Sequence, residues 1–582
     1  MNGVIDKLLD RLSQLENTRR PWESHWREVA RYVAPGMAYH DMLEAVGGTA
    51  ARPYGALEAP NIYDHTSLMA IDRLAAGEIS LVMPASATWH TLKSSDPFAG
   101  DPDDEEKRWF DDLTRYAFRM RYNPVSGFTL ASKAAVKGRA AFGTSVMYVE
   151  ERFGQGLSSP ISYRHVPLLE NHLATNFEGV VDTNFRVFRR TARQCVERWG
   201  EKCSEKVRRA AEDAKRQETP VTIVHAVMPH PDGERATMRY VSYYFERDEK
   251  HLIGQGGYRS FPYIVFHWNR EHQGPYCEGP VSLALAEIKS VNMLSKQEYI
   301  ATQQWVNPPT AQRDDAPNAP NLNPGAPNPG LLSETGELLI RPIITQQRPD
   351  FARAVIEAKQ NQLRESLYVN LWQILIQNPQ MTATEAAIRA QEKGDLLGPS
   401  GLSLQEGLAR MVDREFAILE SKGVFRPGAA LGAPQSLEGR EIGVAFTGPL
   451  DKMRRAGEIV GMQRVLELAG MMAQMGHPEA LERFDMNEML DIAQDVHGAP
   501  RSIFRPAAEV EQDRAKATNL QQMLGSMDMI RAGGEAAKAA AEGGKALGAT
   551  GPDGALDPEK FALMLQGAVG AGEAEDQMEQ IP

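Results

Sequence analysis

Two helix-patterned segments separated by a turn-rich insert constrain the fold of this 582-residue chain more than any other feature. The first runs from 280 to about 305, the insert covers 307–349, and the second runs from 350 to about 377, with Asp350 as its expected N-cap. Apolar residues of the second segment fall at spacings of four or eight: Phe351, Val355, Leu363, Leu367, Leu371 and Leu375. A stripe this wide needs a partner surface, either the first helix or a neighbouring subunit. The pattern favours an extended stalk over an enzyme's pocket.

The part before the stalk is predicted to be an α+β unit. Hydrophobic spacings near 3.6 indicate helices, and alternating residues indicate the strands of a mainly antiparallel sheet. The predicted helices cover 1–35, 64–83, 102–121, 128–141 and 192–217. The predicted strands cover 144–150, 161–165, 173–175, 180–188, 221–228, 237–246 and 263–268. A turn is expected at 176–179, where Gly179 suits positive φ, and another at the glycine-rich 254–257.

After the stalk, the sequence predicts a break and then a kinked or broken helix over 383–422. Capping-box signatures pair Thr382 with Glu385 and Ser403 with Glu406, and Gly423 is the expected stop. Residues 452–495 have a Met-rich helical pattern. From about 550 the composition predicts a disordered acidic tail.

Composition indicates an ordinary globular protein without a membrane span. Hydrophobic residues make up 42% and charged residues 24%, and no run approaches the roughly 18 consecutive apolar residues that a span requires. Three cysteines favour a reducing compartment. The formal net charge is −13, to which residues 481–582 contribute 18 acidic and 9 basic side chains. A protein that grips phosphates usually carries a basic excess, so any DNA partner is expected to slide past.

Candidate catalytic motifs are weak. The tail segment Gly543-Gly-Lys545 is followed by Ala546 where a phosphate-binding loop needs Ser or Thr. The Glu271, His272, Cys277 and Glu278 cluster, with His267 nearby, fits no common zinc spacing, so a loop is the preferred interpretation. The basic run over 186–216 is interleaved with acidic residues, which favours a solvated helix face. We predict a protein without catalytic activity, cofactor or metal.

Several segments, taken in order over residues 20–420, resemble portal proteins, the head-to-tail connectors of tailed phages, in the form found in short-tailed phages. The segments that carry the resemblance are Arg20-Pro-Trp-Glu23, Tyr32-Val-Ala-Pro-Gly36, the run 70–84, Thr88-Trp-His-Thr-Leu92, Gly143-Thr-Ser-Val-Met-Tyr-Val149, Pro262-Tyr-Ile-Val-Phe-His-Trp268, Tyr276-Cys-Glu-Gly-Pro280, Val306-Asn-Pro-Pro309 and Met381-Thr-Ala-Thr-Glu385.

The resemblance implies an elongated α+β subunit of a ring, expected to be a dodecamer, at one capsid vertex. By segment it implies a wing (1–279), two stem helices (280–306 and 350–377), a clip (307–349), a channel loop (378–384), a long kinked wing helix (385–422), a helical crown (423–549) and a disordered acidic tail (550–582). Double-stranded DNA would pass through the channel without sequence specificity. The implied protein partners are the terminase large subunit, then a tail adaptor or head completion protein, and the major capsid and scaffolding proteins. The implied location is the virion, after assembly in the host cytoplasm.

Candidate functional residues follow from these assignments. The channel loop would contain Asn378, Pro379, Gln380 and Met381, which are uncharged and so unsuited to gripping phosphates. Candidate lumen-facing basic residues are Lys289, Lys296, Lys359 and Arg364, and candidate clip contacts are Arg313, Asp314 and Asp315. Solvated stalk residues are the alternative for the basic set. Two other functions stay open at this point, a phage-associated nuclease or hydrolase with an unrecognised site, and a protein that holds DNA stably.

Overall fold

The computed structural model describes residues 2–37, 62–95, 103–152, 159–233, 237–270, 273–306, 308–312, 321, 326–342, 349–369, 383–426, 428–429, 431–437, 442–475, 477, 484–485, 489–490, 492, 513 and 516. Chain contacts divide it into two units, Met1–Gly498 and Ala499–Pro582. In the second unit the described residues are Asp513 and Lys516, which form an ion pair at 3.6 Å. All elements below belong to the first unit.

Ten α-helices are found in the described residues. They are α1 (Asn2–Val33), α2 (Thr66–Val82), α3 (Asp104–Arg121), α4 (Phe128–Phe142), α5 (Ala192–Trp199), α6 (Glu205–Glu212), α7 (Pro280–Val306), α8 (Pro349–Ser366), α9 (Ala383–Ser421) and α10 (Pro449–Gln474). Short 3-10 turns occur at Pro35–Met37, Pro124–Ser126, Leu168–Glu170, Gly200–Lys202 and Gln435–Leu437.

Twelve strands in the described residues form four antiparallel sheets. The strands are β1 (His90–Ser94), β2 (Thr144–Glu151), β3 (Ile161–Val166), β4 (Asn171–Thr175), β5 (Val181–Thr191), β6 (Pro220–Pro229), β7 (Tyr240–Glu246), β8 (His251–Tyr258), β9 (Tyr263–His267), β10 (Thr310–Gln312), β11 (Ile340–Pro342) and β12 (Ile442–Phe446). Their orders are β4-β5-β6-β7-β8, β3-β2-β9, β1-β12 and β10-β11. The predicted α+β class with mainly antiparallel pairing is confirmed.

The core is assembled around the two larger sheets. The first half of α1 packs Leu8 and Leu12 against Phe185 of β5 and Phe245 of β7. On the other face of the same sheet, α5 and α6 pack Cys195 and Val207 against β5, β6 and β8. The three-stranded sheet is covered by α2, α3, α4 and the second half of α9. Because α9 joins this core through Leu404, Leu408 and Leu419, the long helix is tied to residues far away in sequence.

A buried ionic network fastens α9 to the body. Arg121 of α3 donates two hydrogen bonds to Glu415 of α9, at 3.0 Å and 2.7 Å, and Tyr163 of β3 donates a third at 2.6 Å. The Arg121 guanidinium also lies 4.8 Å from the ring centre of Trp89 and 3.0 Å from His90 Nε2. Burial, and secondarily Arg121, holds the pKa of His90 well below its usual range. The imidazole therefore stays neutral beside the cation.

Several local predictions are confirmed. Gly179 has φ +80°, and Asn176 Oδ1 accepts from the Val180 amide at 2.8 Å, which completes the predicted 176–179 turn. Gly423, at φ +73°, follows the end of α9, and the Val424 amide donates to Leu419 O. This bond pattern is the one expected where a helix stops at a glycine.

Other local predictions are wrong. The helix expected over 192–217 is two short helices, because Gly200 at φ +59° ends the first and Ser204 caps the second. The basic run from 186 therefore begins on β5 and does not form a single helix face. Residues 254–257 lie inside β8 rather than in a turn. The turn between β7 and β8 falls at 247–250, where Lys250 adopts φ +47°. A Cβ on Gly257 would lie 2.9 Å from Tyr240 O, so glycine permits close strand approach there.

Helix boundaries near the stalk also differ from the prediction. The second stalk helix, α8, runs to Ser366 and is followed by a turn in which Tyr368 adopts φ +60°. Residues 370–377 of the predicted helix lie outside the described residues. Asp350 lies within the first turn of α8, which begins at Pro349, and so is not its cap. Ser403 lies inside α9 and donates to His267 O at 2.6 Å, so it begins no helix. Thr382 lies outside the described residues.

The helical pattern predicted over 452–495 is confirmed as far as Gln474, where α10 ends, and residues 489, 490 and 492 are also helical. Residues 476, 478–483, 486–488, 491 and 493–495 lie outside the described residues. The tail beginning near 550 lies outside the described residues. The pairing of β1 with β12, in the register His90 to Phe446, had no counterpart in the prediction because it joins segments more than 340 residues apart.

Candidate functional site

The two stalk helices α7 and α8 pack side by side in antiparallel orientation. Lys359 Nζ lies 2.7 Å from Glu287 Oε1, and Arg353 Nε lies 2.9 Å from Glu298 Oε1. The two pairs are spaced along the helices so that later residues of α8 meet earlier residues of α7. The insert between the helices therefore starts and finishes at one end of the pair, which we call the tip; the opposite end is the root.

The root is embedded in the protein core. Its buried side chains recur at helical spacing on one face of α7: Val281, Ala284, Leu285, Ile288 and Val291. They share one core with Ile356 and Leu363 of α8 and with Trp26 and Val29 of α1. The buried aliphatic stripe fixes the direction in which the pair leaves the body.

The tip half of α7 has the opposite character. In α7, whose residues are all described, no side chain after Val291 is buried. Trp305 and Val306 are 66% and 73% exposed. Met293, Tyr299 and Ile300 are also exposed, and Leu283 is exposed on the outer face of the root. Large exposed apolar side chains gathered on one helix are typical of a surface that binds another protein.

The insert closes on itself at the tip. Strand β10 pairs with β11 in the register Thr310 to Pro342, which holds the two ends of the insert together. Within it, Leu332 bridges to Leu338 around a turn in which Gly336 has φ +80°. The sequence shows no strong alternation here, so the strands of the insert were not predicted.

Comparison with known proteins decides the family. The family described as "Bacteriophage head to tail connecting protein" matches residues 5–504, most of the chain. The chain belongs to this family. It is 26% identical over 551 residues to a "Probable portal protein" of Bordetella phage BPP-1, covering 91% of the chain and 94% of that protein. It is 25% identical over 558 residues to the "Portal protein" of Salmonella phage epsilon15, covering 92% and 95%.

Family membership confirms the resemblance to portal proteins and the structural portal, or head-to-tail connector, role. It gives no support to the nuclease or hydrolase alternative. Among the described residues, no helix is both long and apolar enough to cross a bilayer.

The four candidate basic residues of this connector all lie on the helix pair, and each has a partner within the chain. Lys289 pairs with Glu28 of α1 at 3.0 Å, and Lys359 pairs with Glu287. Lys296 lies 5.5 Å from the ring centre of Tyr63, and Arg364 donates to Asn361 Oδ1 at 2.6 Å. These contacts neutralise two of the charges locally. The acidic partners on α1 and α7 gave no sequence signal, since pairing across helices depends on packing.

The remaining candidate residues lie outside the described part of the chain. They are the channel-loop residues Asn378, Pro379, Gln380 and Met381 and the clip residues Arg313, Asp314 and Asp315. Glu271 and His272 of the cluster near the first stalk helix are also outside it, so their positions stay predictions.

The cysteines occupy positions suited to packing rather than to reaction. Cys277 is buried, and its Sγ donates to Gly143 O at 2.9 Å. Burial raises the pKa of Cys195 to about 12 and that of Cys203 to about 11, so both remain protonated thiols. Within the described ranges, no group of three or more His, Cys, Asp or Glu side chains is arranged to hold a metal ion.

Proposed function

We propose that copies of this connector form a ring, with twelve as the expected number, at one vertex of the phage capsid. Double-stranded DNA enters the head through the opening of the ring and leaves by the same route. The ring would be assembled in the host cytoplasm and retained in the virion. The subunit acts as a conduit and docking platform and has no catalytic activity.

The projecting helix pair is the observation that carries this proposal. A helix whose root is buried, and whose tip has only exposed or half-buried side chains, needs external contacts to cover Trp305, Val306 and Met293. Neighbouring copies supply such contacts when one face of a subunit meets a different face of the next and the rotation closes. The apolar stripe of the second helix is buried within the subunit at Leu363 and Leu367, so its partner there is the subunit's own core. We place the interface between copies on the outer face of α7.

The regions of the ring follow the order of the chain. Residues 1–279 would form the wing, 280–306 and 350–377 the stem, and 307–349 the clip. Residues 378–384 would form the channel loop, 385–422 the long wing helix, and 423–549 the crown, with an acidic tail after 550. The antiparallel pair joined by a self-closed insert supports the assignment of stem and clip. Within the second stem segment, α8 supports the helical assignment as far as Ser366.

Weak electrostatic contact with DNA suits this role. Each Lys or Arg that neutralises a phosphate adds affinity and salt dependence, so a wall crowded with cations would retard a moving duplex. Lys289 and Lys359 are paired with carboxylates, which supports a weak grip if those helices line the channel. The uncharged loop Asn378–Met381 fits the same requirement in sequence.

Docking of other proteins would occur at defined regions. The clip, including Arg313, Asp314 and Asp315, would meet the terminase large subunit during packaging and a tail adaptor afterwards. The wing would face the major capsid and scaffolding proteins. The support for these partners is family membership and the projecting, self-closed form of the insert.

Mass photometry of the purified chain tests the ring. We expect a particle near twelve times the chain mass of 64.4 kDa, with a central hole in negative-stain micrographs. Trp305→Glu combined with Met293→Asp should shift the protein toward small species, because charges would be desolvated in the interface. A monodisperse monomer at micromolar concentration for the unmodified chain would refute the proposal.

Phe177→Glu provides the matched control. Phe177 is 99% exposed on the turn between β4 and β5 and is not part of the α7 surface, so the same kind of substitution should leave the ring intact. If the control disrupted assembly as strongly as the α7 variant, the effect would reflect added charge rather than the loss of one interface.

A further inference from the structure

An arginine-rich cleft lies where the three-stranded and five-stranded sheets meet beneath α5. Its volume is about 340 Å³. Four arginines line it, together with four aromatic rings and one carboxylate. The lining includes Arg164, Arg186, Arg190, Arg198, Tyr148, Phe188, Trp199, Tyr244 and Glu150. The chain as a whole has a net charge of −13, so the cleft is a local concentration of positive charge.

Strand geometry explains how the cleft is assembled. Arg186, Phe188 and Arg190 are alternate residues of β5, so their side chains leave the same face of the sheet. Tyr148 and Glu150 are related in the same way on β2, where Arg164 of β3 pairs with Tyr148 in register. The helix α5 follows β5 directly and brings Arg198 and Trp199 over the cleft.

The aromatic rings hold the guanidinium groups in place. Arg186 and Arg190 lie 4.6 Å and 5.1 Å from the ring centre of Phe188, and Arg164 lies 5.4 Å from that of Tyr148. Such stacking keeps planar cations oriented at little entropic cost and leaves their edges available to acceptors. The Tyr148 hydroxyl stays protonated, since burial raises its pKa well above the usual range.

The charges in the cleft do not balance. Arg186 is neutralised by Glu170 at 2.8 Å, behind the cleft wall. Glu150 lies 2.5 Å from Arg164 and 3.7 Å from Arg198, so one carboxylate serves two arginines. Arg190 donates to the carbonyl oxygen of Arg189 at 2.7 Å. Four cations thus face two carboxylates, and the cleft carries an excess of two positive charges.

We propose that this cleft binds an acidic peptide segment of a partner protein, with Asp or Glu carboxylates on Arg190 and Arg198 and an adjacent apolar side chain on Trp199 and Tyr244. Glu150 already shows how a carboxylate fits between the guanidinium groups. Arginine forks bind carboxylates in pairs of hydrogen bonds, which favours a specific contact over diffuse attraction.

The extent of the cationic surface favours a peptide over nucleic acid. Single-stranded nucleic acid requires a basic groove that follows several nucleotides. The neighbouring cavity is lined by Glu150 and Glu151 as well as by Arg152, Arg164 and Arg198, so carboxylates interrupt the basic surface next to the cleft. A short segment with a few carboxylates and one apolar side chain matches the size of the site.

Fluorescence anisotropy on the full-length chain tests the site. The probes are a short dye-labelled peptide of alternating Glu and Leu, its Gln and Leu counterpart, and a labelled single-stranded oligonucleotide. We expect saturable binding of the acidic peptide only. Arg190→Ala and Arg198→Ala should each weaken it on the order of tenfold, as loss of a charge-assisted hydrogen bond does.

Arg193→Ala is the matched control, because Arg193 lies on the same helix but pairs with Glu197 and Glu218 outside the cleft. It should leave the affinity unchanged. Glu150→Gln should tighten binding several-fold by removing the resident competitor, a gain that simple structural damage would not produce.

Equal binding of the neutral peptide, tighter binding of the oligonucleotide, or the same loss in the Arg193 variant would each overturn the proposal. Thermal melting of every variant checks that the fold is retained. The readout does not depend on assembly, because ring-deficient Trp305 variants should bind the peptide normally.

Discussion

The body and the tip of the helix pair use ion pairs in opposite settings. In the body, Arg121 and Glu415 are almost fully buried, and each makes further contacts with polar or aromatic partners. At the tip, Arg353 and Glu298 form a pair of similar length, 2.9 Å, but the Arg353 side chain is mostly exposed. Ion pairs of similar length therefore differ in their effect on stability, because solvent screens the second pair and not the first. The body is stabilised by a buried pair within the subunit, whereas the pair at the tip is exposed to solvent.

Breaking the buried pair should have the largest effect on folding. Glu415→Ala leaves the Arg121 guanidinium buried without its carboxylate, and we expect a loss of about 3–5 kcal/mol in the free energy of unfolding. Urea denaturation followed by tryptophan fluorescence measures this loss.

Glu420→Ala on the same helix is the control. Its partner Arg259 is 3.6 Å away and exposed, so a change within about 0.5 kcal/mol is expected. Similar losses of stability in both variants would contradict the view that the buried pair stabilises the fold more than the exposed pair.

Truncating the same residue type at the root and at the tip of α7 sharpens the comparison. Ile288→Ala removes a buried side chain from the core and should cost about 3 kcal/mol in the free energy of unfolding of the dissociated subunit. Ile300→Ala removes an exposed side chain and should change subunit stability by less than about 0.5 kcal/mol while weakening ring assembly. Denaturation of dilute subunits and mass photometry separate the two effects. A large loss of subunit stability at Ile300 would show that the tip folds against the body.

Acidification should destabilise the body and spare the contacts of the helix pair. Burial lowers the pKa of His267 to about 4, although the Pro275 carbonyl, which accepts from its Nε2 at 3.1 Å, acts in the opposite direction. A histidine with a lowered native pKa stabilises the fold above its unfolded pKa near 6.5, and the contribution is lost as pH falls. Between pH 7 and 5 the loss is about 2 kcal/mol from this group alone.

Urea unfolding at the two pH values measures this dependence, and a His267→Gln variant should show a smaller one. Neither α7 nor α8 contains a histidine, so the two ion pairs between these helices should not respond in this range. If the parent and the variant lost the same stability between pH 7 and 5, a group other than His267 would be the cause.

Local sequence signals predicted the elements that depend on neighbouring residues. The stalk helices, the 176–179 turn and the stop at Gly423 follow from periodicity and from glycine's tolerance of positive φ, which operate within a few residues. The helix predicted over 192–217 failed although its break at Gly200 and the cap at Ser204 are local features. Other predictions failed because distant chain segments decide the outcome. Ser403 caps no helix because His267 O accepts its hydroxyl, and Gly256 continues a strand because β7 pairs with it.

By itself, the sequence determined that two amphipathic helices flank an insert, that an α+β unit precedes them, and that the chain resembles a phage connector. Tertiary structure alone decided that the pair is antiparallel, that only its root is buried, and that arginines of two strands and a helix converge in one cleft. Periodicity records which face of a helix is apolar but not how far along its length the core extends. That limit is set by contacts between residues hundreds of positions apart, which local patterns do not encode.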